Sequence, residues 1–193
     1  MKNLFPMIVL LAVGTVGAAG TAQAAEWKLE PAASRLDFNA SFETTPSPGS
    51  FKDFDVRLGF DPDQPAGGHL DVGIQVASAS MSSADIDKAI AGPEWFDFAG
   101  HPRAEFHSSD IRRVQPGGNR YVARGTLSLK GQQKPVEVPF TWTAGADGAG
   151  MDGEFTVQRA AFGIGTGEWV ATDVIGPDVV VRFHARLKPV AAK

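Results

Sequence analysis

The sequence predicts an all-β protein of about eight antiparallel strands, on three observations. Apolar and polar residues alternate in run after run, the period of a strand with one dry and one wet face. Clusters of glycine, proline and asparagine separate the runs, which favours hairpins over crossovers. Among 193 residues there are also 22 glycines, 13 prolines and 13 phenylalanines against a single tyrosine, so turn formers accompany apolar aromatics.

Taken in order, the first run sets Leu36, Phe38, Ala40 and Phe42 against Asp37, Asn39 and Ser41. Ser47-Pro48-Gly49 reads as the turn that follows. Phe54, Val56, Leu58 and Phe60 then alternate with Asp55, Arg57 and Gly59, and a turn signal runs from Asp61-Pro62 to Gly67-Gly68. Leu70, Val72, Ile74 and Val76 form the next dry face. The exception is 82–98, where Ser82 or Ser83 is placed to cap a short helix reaching Ala91. Ile86, Ala89 and Ile90 are its apolar stripe and Gly92-Pro93 its end. A further turn, Glu94-Trp95-Phe96, follows, and the segment near 83–97 reads as a lid or plug over an open end of the sheet.

Weaker alternation covers 103–114, where Ala104 and Phe106 share one parity and Arg103, Glu105 and His107 the other, so His107 is expected to face water. Pro116-Gly117-Gly118-Asn119 is a turn. Tyr121, Ala123, Leu127 and Leu129 form one face, and Val136, Val138, Phe140 and Trp142 the next. The glycine-rich stretch 145–153 reads as a turn region and 153–164 as a weak strand. The last strand groups Val179, Val181, Phe183, Ala185 and Leu187. About eight strands with one dry face each can close as a barrel or stack as a sandwich, and the pattern alone does not separate the two.

The first residues read as an address. Lys2 precedes an uncharged run from Leu4 to Gly20, then Ala22-Gln23-Ala24 offers the small-x-small pattern of a signal-peptidase site. Residues 1–24 are expected to be a signal peptide, leaving 25–193 as one exported domain, periplasmic in a Gram-negative host. Gly14, Gly17 and Gly20 dilute the run and argue against a membrane anchor.

The composition removes several function classes. No cysteine means no disulfide framework, no thiol nucleophile and no cysteine-held metal or lipid. A net charge of −4 argues against nucleic acid as a partner. There is no HExxH, no GxSxG and no P-loop, since Gly163-Ile164-Gly165-Thr166-Gly167 lacks the lysine that must follow. Asp61-Pro62-Asp63 opens like a calcium loop but has Val72 where its bidentate glutamate belongs. His69, His101, His107 and His184 are scattered and read as surface groups, so neither a catalytic residue nor a metal site is expected. A large apolar interior remains, and by pattern alone it is a packed core.

The chain resembles the YceI-like family of exported polyisoprenoid-binding proteins. The resemblance runs from Trp27 to Leu187. It is carried by Trp27-Lys28-Leu29-Glu30-Pro31, Ser34-Arg35-Leu36-Asp37-Phe38, Gly49-Ser50-Phe51-Lys52-Asp53-Phe54 and Phe60-Asp61-Pro62. It continues through Glu94-Trp95-Phe96-Asp97, Pro102-Arg103-Ala104-Glu105-Phe106-His107-Ser108, Gly125-Thr126-Leu127-Ser128-Leu129-Lys130-Gly131, Pro135-Val136 and Ala161-Phe162-Gly163-Ile164-Gly165. Many members carry Thr-Gly and Arg-Asp pairs in the helical segment. Ser82-Ser83-Ala84-Asp85-Ile86-Asp87 departs from these and looks like the variant associated with membrane b-type cytochromes.

The resemblance implies an eight-stranded, lipocalin-like β-barrel. It also implies a binding protein, not an enzyme, that sequesters or carries an isoprenoid lipid. The ligand is a quinone such as ubiquinone or a polyprenyl phosphate, and no covalent cofactor is expected. The expected cavity lining is Phe38, Phe42, Phe54, Val56, Leu58, Val72, Ile74, Ile86, Trp95, Phe96, Phe106, Leu127, Phe140, Trp142, Phe162 and Phe183. The headgroup is expected at the mouth near 82–98, with arginines and histidines available to its oxygens. A membrane b-type cytochrome and a second copy of the chain, as a homodimer, are the protein partners to consider. The competing readings are a ligand-free accessory or stress protein with a filled core, and an enzyme with a polar cluster inside the barrel.

Overall fold

The alternating runs become eleven strand segments of one antiparallel sheet in the computed structural model, which describes residues 24–191. The expected leader therefore falls outside the described residues but for Ala24. The strands are β1 (Ala25–Leu29), β2 (Arg35–Phe42), β3 (Thr45–Phe51), β4 (Phe54–Phe60), β5 (His69–Gln75) and β6 (Ala79–Ser80). Then come the helix α1 (Ala84–Ile90) and β7 (Arg103–Arg113), β8 (Arg120–Leu129), β9 (Gln132–Gly145), β10 (Gly148–Gln158) and β11 (Asp178–Pro189).

Eight of these close a ring. Its order is β1, β4, β5, β7, β8, β9, β10, β11, and β11 returns to β1. The other three prolong the ring strands. β1 and β2 both lie antiparallel on β11, at Trp27 opposite Pro189 and Asn39 opposite Val180. They also face β4 and β3 as the two arms of one long broken hairpin. Leu36 pairs Phe51 before the break and Lys28 pairs Arg57 after it, so the first arm spends two more residues than the second. Two serines mend the breaks. The Ser34 hydroxyl donates to the Glu30 carbonyl at 2.8 Å and accepts from the Arg186 amide at 2.9 Å. The Ser78 hydroxyl donates to the Gln75 carbonyl at 2.7 Å and accepts from the Asp53 amide at 3.0 Å.

Four local expectations are corrected. Ser47-Pro48-Gly49 lies inside β3, and the turn is the residue pair 43–44. A two-residue turn puts Pro46 and Pro48 at the non-hydrogen-bonded positions of the hairpin, opposite Ser41 and Asn39, where a missing amide costs the ladder nothing. Gly49 serves close approach, since a Cβ there would collide with the Phe38 ring. Likewise only 146–147 turn in the stretch 145–153. Gly153 lies in β10 because the Phe183 ring and the Pro139 carbonyl occupy the space a side chain would need. The strand expected over 153–164 stops at Gln158, and Arg159–Phe162 is a 3-10 turn. Ser83 holds the N-cap position of α1 without a side-chain bond. The Asp87 carboxylate accepts instead from the Ser80 hydroxyl and the Met81 amide.

Parity predicts inward faces until a bulge resets it. In β7, Ala104 and Phe106 are buried, then the register slips between Ser108 and Asp110, and Ile111 is buried with the opposite parity. The barrel's two ends differ. At one, Trp27, Phe60, Tyr121, Phe140 and Trp142 fill the interior with edge-on and stacked rings whose centroids lie 4.9–5.7 Å apart. Towards the other, the β9–β10 ladder stops at Thr141 and Asp152, and the strands part beyond it. The interior opens where the ladder ends.

Candidate apolar cavity and its lid

The widened half of the barrel encloses a cavity of about 840 Å³. Its walls are inward aliphatic and aromatic side chains from β2, β4, β5, β7 to β11, and α1. Thirteen of the sixteen residues expected at the cavity line it: Phe38, Phe42, Phe54, Val56, Val72, Ile74, Ile86, Trp95, Phe96, Phe106, Leu127, Phe162 and Phe183. Leu58, Phe140 and Trp142 do not. They point inward, as parity requires, but sit among the aromatic rings of the narrow end. Alternation tells which face a residue is on and is silent about its height along the barrel axis.

Two chain segments roof the open half. The first is α1 with the turns through Phe98. Its Ile90 is buried against Phe38 and Ala79, with Phe51, Phe96 and Phe98 packed around them. The second is the long connection between β10 and β11. Glu94 clasps the two together: its carbonyl accepts from the amides of Gly165 at 2.8 Å and Thr166 at 3.0 Å, and its carboxylate accepts from the Trp169 indole at 3.0 Å. Trp95 and Trp169 pack across the same joint with centroids 5.6 Å apart. Lys130, in the β8–β9 turn, donates to the carbonyls of Pro93 at 2.7 Å and Gly163 at 2.6 Å, one from each segment. Burial pushes its ammonium below the ordinary lysine value, against the pull of Asp97 and Glu94. The tip of the β2–β3 hairpin closes the remaining side. Phe42 bridges to Ile175, and the Glu43 amide donates to the Val174 carbonyl at 2.6 Å.

Sequence reasoning missed Arg159, which is 3% exposed and organises the second segment. Its guanidinium donates to the carbonyls of Gly176 at 3.0 Å, Ile164 at 3.1 Å, Gly165 at 2.9 Å, Trp169 at 2.8 Å and Ile175 at 2.9 Å. Five N–H donors thus meet these five carbonyls of one loop, with those of Val170 at 3.5 Å and Ala171 at 3.3 Å as longer contacts. No motif announces this, because the partners are backbone oxygens that every residue carries. Phe155 also lines the cavity, as do Trp169, Met81 and Met151, which the sequence did not single out.

The histidines lie elsewhere. His107 projects from the barrel wall and binds the Asp71 carboxylate at 2.8 Å, and that bond raises its imidazole above the ordinary value despite some desolvation. His101 bonds Asp97 at 2.9 Å, His184 bonds Asp152 at 2.6 Å, and His69 lies 3.8 Å from Glu26. Among the described residues no histidine lines the cavity, and Arg159 is the only arginine that does. The expectation that histidines and arginines would be free at the mouth is therefore corrected.

Comparison with known proteins agrees with the geometry. Residues 27–187 match the family model described as the YceI-like domain. A UPF0312 protein of Pectobacterium atrosepticum is 28% identical over 169 residues, which span 83% of this chain and 86% of that protein. The crystal structure of BcnA from Burkholderia cenocepacia superposes with a TM-score of 0.79 at 34% identity, covering 82% of this chain and 98% of that one. A polyisoprenoid binding domain from Saccharophagus degradans, implicated in plant cell wall breakdown, shares the fold at a TM-score of 0.68 and 15% identity, covering 86% and 99% of the two chains.

Proposed function

Because this chain belongs to the YceI-like family, we propose that it holds the hydrocarbon chain of an isoprenoid lipid inside its barrel. The observation that carries the reading is the 840 Å³ apolar cavity. The competing picture of a ligand-free accessory protein requires a filled core, and half of this barrel is not filled. The enzyme reading requires a polar cluster inside, whereas the cavity is walled by hydrocarbon with its polar residues confined to a few positions.

Capacity can be judged from a simple standard. An apolar protein cavity of ~150 Å³ accepts benzene. On that scale this cavity holds roughly thirty carbons, about six isoprene units. Moving such a chain out of water gains ~0.8 kcal/mol per methylene, which exceeds the cost of ordering it. Moving it from a bilayer gains little, since both environments are hydrocarbon. The design suits a carrier that exchanges its cargo with membranes and keeps it from water between exchanges. The leader pattern of residues 1–24 supports the periplasm as the place of this work, and the helical-segment variant Ser82–Asp87 supports a membrane b-type cytochrome as a client.

The test is to purify the protein from its own host, extract it with organic solvent and identify the extract by mass spectrometry. An isoprenoid at near-stoichiometric yield is expected. An empty extract, together with no uptake of added quinone, would remove the reading.

A further inference from the structure

The charged residues of the cavity are few and can be taken one by one. Among the described residues that line it, they are Glu43, Asp85 and Arg159. Arg159 spends its five N–H groups on the loop carbonyls and has none to offer a ligand. Glu43 stands in the β2–β3 turn and Asp85 in the first turn of α1, both exposed. Neither is among the ion pairs of the described residues, which tie up Asp55, Asp71 and Glu105 on the outer wall and Asp97 in the turns after α1. Ser41, Thr45 and Ser47, on the same hairpin as Glu43, add hydroxyls. Of the described residues that line the opening, two thus carry unneutralised carboxylates, three carry hydroxyls that donate or accept, and none is an available cation; Lys88, one turn on from Asp85 in α1, does not line the cavity.

Resting on the lipid-binding reading, we infer that this rim selects the ligand's headgroup by charge. It admits isoprenoids whose head is neutral or a protonated amine and turns away phosphorylated ones, with Glu43 and Asp85 as the residues that set the preference. A phosphate monoester carries −1.5 to −2 charges at neutral pH and is held by cationic or N–H donors. Here it meets like charge and finds none of those donors free. An alcohol or quinol can give its proton to a carboxylate, and an ammonium is attracted.

The probes are farnesol, farnesylamine and farnesyl monophosphate, which share one hydrocarbon chain. Binding is followed through the indole fluorescence of Trp95 and Trp169, at low salt and at ~1 M salt, where charges are screened beyond ~3 Å. An exposed charge pair is worth up to about fivefold in affinity, so two carboxylates predict an amine-to-phosphate preference of about tenfold or more at low salt. The preference should shrink at high salt and in the E43Q/D85N double variant. Phosphate binding as tight as farnesol, or a preference unchanged by salt and by the double variant, overturns the inference. If all three ligands bind equally, the rim filter alone falls. If none binds, the lipid reading falls and takes the filter with it.

Discussion

Replacing Arg159 by methionine is the most informative perturbation of the lid. The guanidinium is 3% exposed and has no carboxylate partner among the described residues. Burial lowers its pKa, but from an ordinary value so high that it stays charged at neutral pH. Five charge-assisted bonds at about 1.5 kcal/mol each would forfeit ~7 kcal/mol. Removing the charge returns the several kcal/mol that its burial costs. The net is a loss of about 3 kcal/mol, read as a lower midpoint in urea unfolding. Amide exchange should localise the damage, because the freed carbonyls all belong to 164–176, so that segment should exchange faster while β7 and β8 do not change. Arg159→Lys keeps the charge but has three donors for five carbonyls, and should recover at most half of the loss. A destabilisation below ~1 kcal/mol, or a lysine variant indistinguishable from the native protein, would refute the assignment of the loop's order to these bonds.

Leu127→Trp should fill part of the cavity, cutting the lipid recovered on extraction while leaving the urea midpoint equal or higher. Trp142→Ala in the narrow end should cost about 3–5 kcal/mol, with the length of bound chain by mass spectrometry unaltered, whereas Phe155→Ala should enlarge the cavity and lengthen the accepted chain. His107, raised by its bond to Asp71, gives a stability contribution present in full below the ordinary imidazole value and lost as pH rises through its own higher one. The pair is exposed, so the amplitude is small, and Asp71→Asn should move the His107 titration seen by NMR back down and flatten that part of the pH–stability curve. Mass analysis of the protein purified from its own host should find Ala25 at its N-terminus if residues 1–24 are removed there as a leader.

How much was readable in advance depended on what alternation encodes. Val56, Phe106 and Val138 were assigned inward from period alone and are buried. Period gives face without axial height, so Trp142 in the plug and Phe183 on the cavity wall looked alike. Turn chemistry misled wherever proline and glycine served the strand. Pro46 and Pro48 occupy positions that need no amide, and Gly153 makes room for the Phe183 ring. The lid's fastenings at Arg159, Glu94 and Lys130 were invisible because each binds backbone carbonyls or amides from remote parts of the chain, and backbone groups leave no signature in residue identity.

The prolines of β3 have one more consequence. β6 pairs only with Ser50 and Phe51, so no strand among the described residues covers the outer edge of Thr45–Gly49. An uncovered edge invites another chain to add a strand, the first step towards aggregates in a crowded compartment. Here the edge lacks the two amides that Pro46 and Pro48 would otherwise point outward, and an incoming strand would find acceptors without the matching donors. A pair of prolines that costs the hairpin nothing thus denies neighbours a template. Two copies of this protein would therefore have to associate through side chains and not by sharing a sheet at this edge.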